Sequence, residues 1–360
     1  MLTRIEDNNL VIHEDILMIR YFYLSVLFVL FSVPLFAKDV MLNATHPQNY
    51  EVVRGDTLWD ISAKFLQHPW QWPEIWQVNP QINNPHLIYP GDLLSLSYIN
   101  GQPVLTLTRG SRAYKLSPEV REIKLEEAIS TIPRSAISAF LSKPLVVGEE
   151  TLSNAPYIVA STDERLILGA GDRAYVRGIE GDEIEQFSVF RGGKVYTDPE
   201  TAEVLGYEAI YTADAMLETA SDISTVMLRN TNREVLTGDR LLPVDDGQNE
   251  MNFFPHSPEQ AVNGRIISVF DGVSQVGQYQ IVVLNRGTRE SIEVGHVLAV
   301  MRAGQTVRDT VTSDKDDMIT LPDESAGVAM VFKVFEKVSY ALVMTASHAI
   351  HLNDKVSEIE

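Results

Sequence analysis

Two groups of residues in this sequence could do chemistry: a thin scatter of histidines and carboxylates, and one dense group of aromatics. The close histidine pair is His348-Ala349-Ile350-His351, with Asp354 beyond it. Metal-assisted hydrolysis needs clustered histidine and carboxylate ligands. On a strand, positions three apart face opposite sides, which argues against a shared ion at His348 and His351. Glu324-Ser325 is the nearest string to a helix-end acid, but it sits between Pro322 and Gly327 among strand-like segments and reads as a loop. The absence of cysteine excludes a thiol nucleophile. Neither a Gly-x-Ser-x-Gly elbow nor a phosphate-cradling Gly-rich loop occurs. The reading is a protein without catalytic residues, metal ligands or cofactor.

The aromatic group is more informative. All four tryptophans (Trp59, Trp70, Trp72 and Trp76) fall within 18 residues, in the segment YEVVRGDTLWDISAKFLQHPWQWPEIWQVNPQINNPHLIYPGDLLSL. The elements that position them follow from local rules. Tyr50 to Val53 alternates like a short strand, and Gly55-Asp56 breaks it. Thr57, with Asp60 three residues on, resembles a capping box at a helix start. Leu58, Ile61 and Phe65 recur at helical spacing and make one apolar face. Pro73 and Glu74 suit the first turn of a second helix, with Ile75 and Val78 facing inward. Asn79-Pro80 stops that helix, and Asp92 to Leu96 reads as a closing strand. Trp59 and Trp76 belong on the helices as core, whereas Trp70 and Trp72 flank the inter-helix turn, where sugar stacking is an alternative to packing.

This segment resembles LysM modules. It carries Tyr50-x-Val52, Gly55-Asp56-Thr57-Leu58-Trp59-x-Ile61, the central Asn79-Pro80 and the late Pro90-Gly91-Asp92-x-Leu94. The resemblance covers residues 49–97 and implies a small βααβ fold that binds N-acetylglucosamine-containing glycans, here the glycan strands of peptidoglycan. It places the binding positions in the loop after the first strand (Gly55, Asp56, Thr57 and Leu58) and the loop before the last (Gln81, Ile82, Asn83 and Tyr89). The chemistry suits an N-acetyl sugar. Loop backbone groups pair with its amide, while Leu58 and Ile82 pack on its methyl.

The rest of the chain sets the frame. Residues 99–150 read as a short helical connector, with a capped start at Leu116-Ser117-Pro118-Glu119 and a short apolar helix at Ala136–Leu141. Beyond 150, short β-branched runs punctuated by Gly, Asn and Asp indicate an all-β region. It repeats internally. Phe187–Gly192 resembles Leu298–Ala303 at an offset of 111, and Arg233–Asp239 resembles His348–Asp354 at 115. Gly206–Ile210 pairs with Gly327–Val331 at 121. The expected architecture is α+β and multidomain: a LysM module, the connector, then tandem all-β modules at 151–245 and 262–360. Asp245 to Gln260 reads as the linker between them. LSPEVRE at 116, PYIVA at 156, GAGDRAYVRG at 169, DPETAEVLGYEA at 198 and REVLTGDRLLP at 233 resemble uncharacterised Gram-negative LysM proteins.

Arg20 followed by the apolar run Tyr21–Phe36 and Ala37 has the order of a secretory signal, residues 1–37. The run is short for a membrane span, which takes roughly 20 residues. An uncleaved signal would be the membrane contact. Glu6, Asp7, Glu14 and Asp15 have the wrong charge for the start of a signal, so Met18 is the expected translation start. Net charge is −20, which sets the chain against nucleic acid and anionic lipid. These readings converge on a periplasmic, wall-associated binding protein whose β modules engage another envelope component. A peptidoglycan hydrolase with dispersed catalytic residues and a self-associating structural envelope protein are the alternatives.

Overall fold

A computed structural model describes residues 40–76, 87–109, 129–133, 136–137, 145–181, 184–244, 253–270, 275–304, 306–309, 311 and 318–359. The candidate signal and the preferred start at Met18 lie outside them, as do Gln81, Ile82 and Asn83. Contacts divide the chain at Val40, and every element below belongs to the unit Met41–Glu360.

The N-terminal module contains β1 (Asn49–Glu51), α1 (Leu58–Phe65), a 3-10 turn at Pro69–Gln71, α2 (Trp72–Trp76) and β2 (Leu93–Ile99). Its α1 face is the one the periodicity selects: Leu58, Ile61 and Phe65 are buried. A third strand, β3 (Gln102–Thr108), pairs antiparallel with β2. It occupies the head of the segment read as a connector. Asn100 and Gly101, at φ 52° and 82°, form the two-residue turn between them. Asn-Gly is the favoured pair for such a turn because both positions need positive φ. That signal was present in the sequence and marks the strand pair.

After β4 (Leu145–Val147) and α3 (Glu149–Asn154) come six strands: β5 (Tyr157–Ser161), β6 (Arg173–Arg177), β7 (Gln186–Thr197), β8 (Val204–Thr219), β9 (Ile223–Arg229) and β10 (Arg240–Pro243). They pair in the order β8-β7-β10-β5-β6-β9, and a β8–β9 pairing closes the ring; β4 adds to β8 from outside. Ile158, Val176, Val189, Val226 and Leu241 fill the interior.

The second β module contains β11 (Asn263–Val269), β12 (Ile281–Leu284), β13 (Val297–Arg302), β16 (Glu324–Val334), β17 (Ser339–Ala346) and β18 (Lys355–Glu358), closed as β11-β12-β17-β16-β13-β18. A separate ribbon, β14 (Thr306–Arg308) with β15 (Met318–Thr320), stands beside it. Glu324-Ser325, expected in a loop, instead opens β16 and pairs with Arg302 and Met301. The alternating pattern there was masked by Pro322 two residues earlier.

The two barrels have one topology, so the repeat is structural. Leu241 pairs with Val189 in the first, and Val356 with Val300 in the second. These are the offsets of 115 and 111 read from the sequence. Both barrels carry a bulge at the same place, between Val189 and Phe190 and between Val300 and Met301. Asp239 accepts from Leu236 N–H at 2.9 Å, and Asp354 accepts from His351 N–H at 2.7 Å. The third sequence pairing is wrong. Phe187 faces Ala215 while Leu298 faces Ala329, which aligns Gly327 with Ala213 and not with Gly206. Gly206 belongs to the far end of the β7–β8 hairpin, beyond that bulge, where it pairs with Tyr196.

One apolar cluster joins the three parts. It combines Trp59 and Trp70 of the first module, Ile132 and Ile137 of the following segment, Tyr196 and Leu205 of the β7–β8 hairpin, and Tyr340, Leu342 and Met344 of the second barrel. Full burial of each such side chain contributes about 1.5–3 kcal/mol. The hairpin tip adds a polar junction. Asp198 accepts from Asn285 Nδ2 at 2.7 Å and lies 3.6 Å from Arg286, while Glu203 meets Arg289 and Lys337, each at 2.8 Å. Burial pushes the Asp198 carboxyl up, but the N–H groups of Thr201 and Glu200, the Asn285 amide and Arg286 outweigh it and hold it at about 2.

Candidate glycan-binding groove

The loop after β1 is built by its own side chains. Gly55 sits at φ +98°, a conformation that excludes most other residues. Asp56 Oδ2 accepts from Val53 N–H at 2.8 Å and from the Tyr50 hydroxyl at 2.9 Å. Burial and the Asp56 carboxylate push the Tyr50 phenol up to about 12. Thr57 caps α1, accepting from Asp60 N–H at 3.1 Å while its hydroxyl donates to Asp60 Oδ2 at 2.8 Å. The Thr57 cap read from the sequence therefore forms, with Asp60 answering the Thr57 hydroxyl.

The loop before β2 is fastened beside it. Asp92 accepts from Tyr89 N–H at 3.0 Å, and Gly91 turns at φ +87°. Val52 stitches the loops together: its N–H donates to Asp92 O at 2.9 Å and its carbonyl accepts from Gly91 N–H at 2.8 Å. Gly55, Asp56, Thr57 and Leu58 thus stand on one rigid loop and Tyr89 on the neighbouring one. Gly55 is exposed, Asp56 and Tyr89 are half-buried, and Thr57 and Leu58 are buried. Asp56 and Thr57 spend their side chains on holding the loop.

The first N–H groups of a helix have no partner within it. In α1 they meet residues from far along the chain. Leu58 N–H donates to Ser130 O at 2.9 Å and Trp59 N–H to Thr131 O at 3.1 Å. From the opposite loop, Ile88 O accepts from Ile129 N–H at 2.9 Å. Nothing in the residue types of 129–132 announces this, because the contacts are main-chain to main-chain.

All four tryptophans are core. Trp70 is 8% and Trp72 2% exposed, so sugar stacking at the inter-helix turn is corrected to packing. Trp70 lies 6.3 Å from the Trp59 ring, and Trp72 lies 6.2 Å from Phe254. Asp60 also leaves the module, accepting from the Tyr279 hydroxyl of the second barrel at 3.0 Å. Burial and Asp60 push that phenol up to about 12.

Among the described residues one trio has the composition of a cation site: His256, Glu293 and His296, with candidate ligand atoms within 4.8 Å of one another. Sequence reading missed it because forty residues separate the histidines, which a parallel bridge brings together. The rings meet edge-on at 4.7 Å. Glu293 N–H donates to His296 Nδ1 at 3.2 Å, which fixes the ring proton on Nε2 and uses one lone pair. Burial and the neighbouring His256 lower the His296 pKa. His256 Nδ1 donates to Phe254 O at 2.9 Å. The trio is a hydrogen-bonded corner that ties residues 253–256 to the barrel. His348 and His351 lie in the loop before β18, each hydrogen-bonded to a neighbour, Ser347 Oγ and Asp354 respectively.

Two stitched loops over a strand–helix–helix–strand frame define the class of this module, a small binding domain of the LysM type. Residues 50–97 match the LysM domain family, so the chain is a LysM-containing protein. A 60-residue stretch is 38% identical to a Bacillus subtilis (strain 168) protein described as "Uncharacterized protein YqbP". That similarity covers 14% of this chain and 27% of the relative. LysM is a binding domain, not a catalytic one, and supports binding to peptidoglycan- or chitin-type glycans.

Proposed function

We propose that the protein binds the glycan strands of peptidoglycan through residues 49–97 and performs no catalysis. In this reading it is exported to the periplasm by the signal at 1–37, and its two barrels present or receive another envelope component. The observation that carries the reading is the pair of stitched loops within the LysM match, which hold backbone donors and acceptors at a fixed spacing. An N-acetyl sugar needs that arrangement, because its amide presents one donor and one acceptor on a rigid ring. Gly55, Asp56, Thr57, Leu58 and Tyr89 would line the site, together with Gln81, Ile82 and Asn83. The electrostatics agree: a chain of net charge −20 suits an uncharged sugar better than a polyanion.

Co-sedimentation of the full chain with purified sacculi tests this. Retention that N-acetylglucosamine oligomers release supports the reading, and retention indifferent to those oligomers removes LysM as the binding element. A zymogram run beside it tests the non-catalytic part, where clearing of the wall would overturn it.

A further inference from the structure

We propose that residues 129–132 are a built-in occupant of the glycan groove, a segment of the chain's own backbone that a glycan strand must displace. This rests on the glycan reading above. The groove offers the N–H groups of Leu58 and Trp59 at the start of α1 on one side and the carbonyl of Ile88 on the other. Residues 129–131 satisfy all three, at 2.9, 3.1 and 2.9 Å. A peptide unit and an N-acetyl group are both secondary amides, each with one N–H and one C=O. The Ile129 N–H and the Ser130 and Thr131 carbonyls belong to separate peptide units, so the segment presents amide groups of the same kind as an acetamido sugar's, spread across the same donor and acceptor positions. Occupancy by one excludes the other at Leu58 N–H and Ile88 O.

The occupant is built to stay. Ile129, Thr131 and Ile132 are 6%, 1% and 1% exposed. Ser130 Oγ donates to Ile132 O at 2.7 Å, curling the segment as it leaves the groove. Ile132 then enters the apolar cluster with Trp59, Trp70 and the second barrel's Tyr340. The closed state is thus anchored by barrel 2, and loosening that anchor opens the groove. A binding-competent fraction below one lowers apparent affinity in proportion.

The test uses the full chain and the N-acetylglucosamine pentamer, read by calorimetry and by amide hydrogen exchange. Ile129→Pro deletes the donor to Ile88 without adding charge, and Ile132→Ala weakens the anchor from the side-chain end. Both are expected to bind the pentamer about tenfold tighter than wild type, the equivalent of about one hydrogen bond removed from the closed state. In both, the Leu58 and Trp59 amides should exchange faster without sugar and slow again with it. Equal affinity of wild type and variants, with those amides released, overturns the occupant and leaves the glycan reading standing. Absence of binding by variants whose amides are released sinks the glycan reading, and this one with it. Wild type supplies a check that needs no variant to fold. Saturating pentamer should speed exchange at Ile129, and an unchanged Ile129 amide would refute displacement.

Discussion

The two barrels share strand order, register and bulge, yet they turn different faces outward. In β9, Val226 and Leu228 point into the first barrel, while Thr225 and Met227 are half-buried and Arg229 is exposed. The matching positions of β17 are Ala341 and Val343 inside, and Tyr340, Leu342 and Met344 outside. All five are buried. The difference is a covering surface: β17 is apolar on both faces because the LysM module, the 129–132 segment and the β7–β8 hairpin pack against its outer side. A strand buried on both faces reads as a continuous apolar run, and one facing water alternates. Tyr-Ala-Leu-Val-Met against Thr-Val-Met-Leu-Arg is that contrast written in sequence.

The barrels differ in the same way at a second pair of equivalent positions. Gly171 and Tyr279 occupy equivalent turns, at φ +89° and +64°. A bulky residue in the left-handed region costs roughly 1–2 kcal/mol relative to glycine. Barrel 2 accepts that cost where its tyrosine reaches Asp60 of the LysM module.

The covered outer face of β17 centres on Leu342. Leu342→Asp would bury an unpaired charge under the LysM module and is expected to cost roughly 3–5 kcal/mol. Met227→Asp at the equivalent open position should cost about 1 kcal/mol. Urea unfolding measures both, and equal losses would mean that the outer face of β17 is not a packed interface.

The hairpin junction is expected to be acid-sensitive. The folded-state pKa of Asp198 is depressed from 3.8 to about 2. Its contribution is therefore complete above about pH 4 and disappears as pH falls through about 2, a loss on the order of 2 kcal/mol. The stability gap between wild type and Asp198→Asn should narrow across that window. A gap that stays constant from pH 4 to 2 would show that the carboxylate does not hold the junction.

The smallest effect concerns Tyr279. Tyr279→Phe keeps the ring and the turn but removes the hydrogen bond to Asp60, costing about 1 kcal/mol. Because this phenol is raised from 10.0 to about 12, its contribution is present below pH 10 and lost as pH climbs toward 12. Wild type and variant should converge over that range, and a fixed difference would place the effect in ring packing instead.

What could be read without coordinates was local. Gly55, the Thr57 cap, the α1 face and the Pro90-Gly91-Asp92 turn act within a few residues of themselves, so their types and spacing suffice. The repeat was legible where it was ungapped, at Phe187–Gly192 and Arg233–Asp239, and misread at Gly206, where the hairpin runs on past the shared bulge. The burial of Trp70 and Trp72 and the meeting of His256 with His296 had no local signature.

The tryptophan-rich segment by itself fixed the module's class, because LysM is specified by turns, caps and short helices that each carry their own side-chain signal. The tertiary structure alone decided what meets its two loops. The partners of Leu58, Trp59 and Ile88 are main-chain atoms contributed from residues 129–131. Backbone amides are the same at every position, so a sequence cannot say which of them will meet.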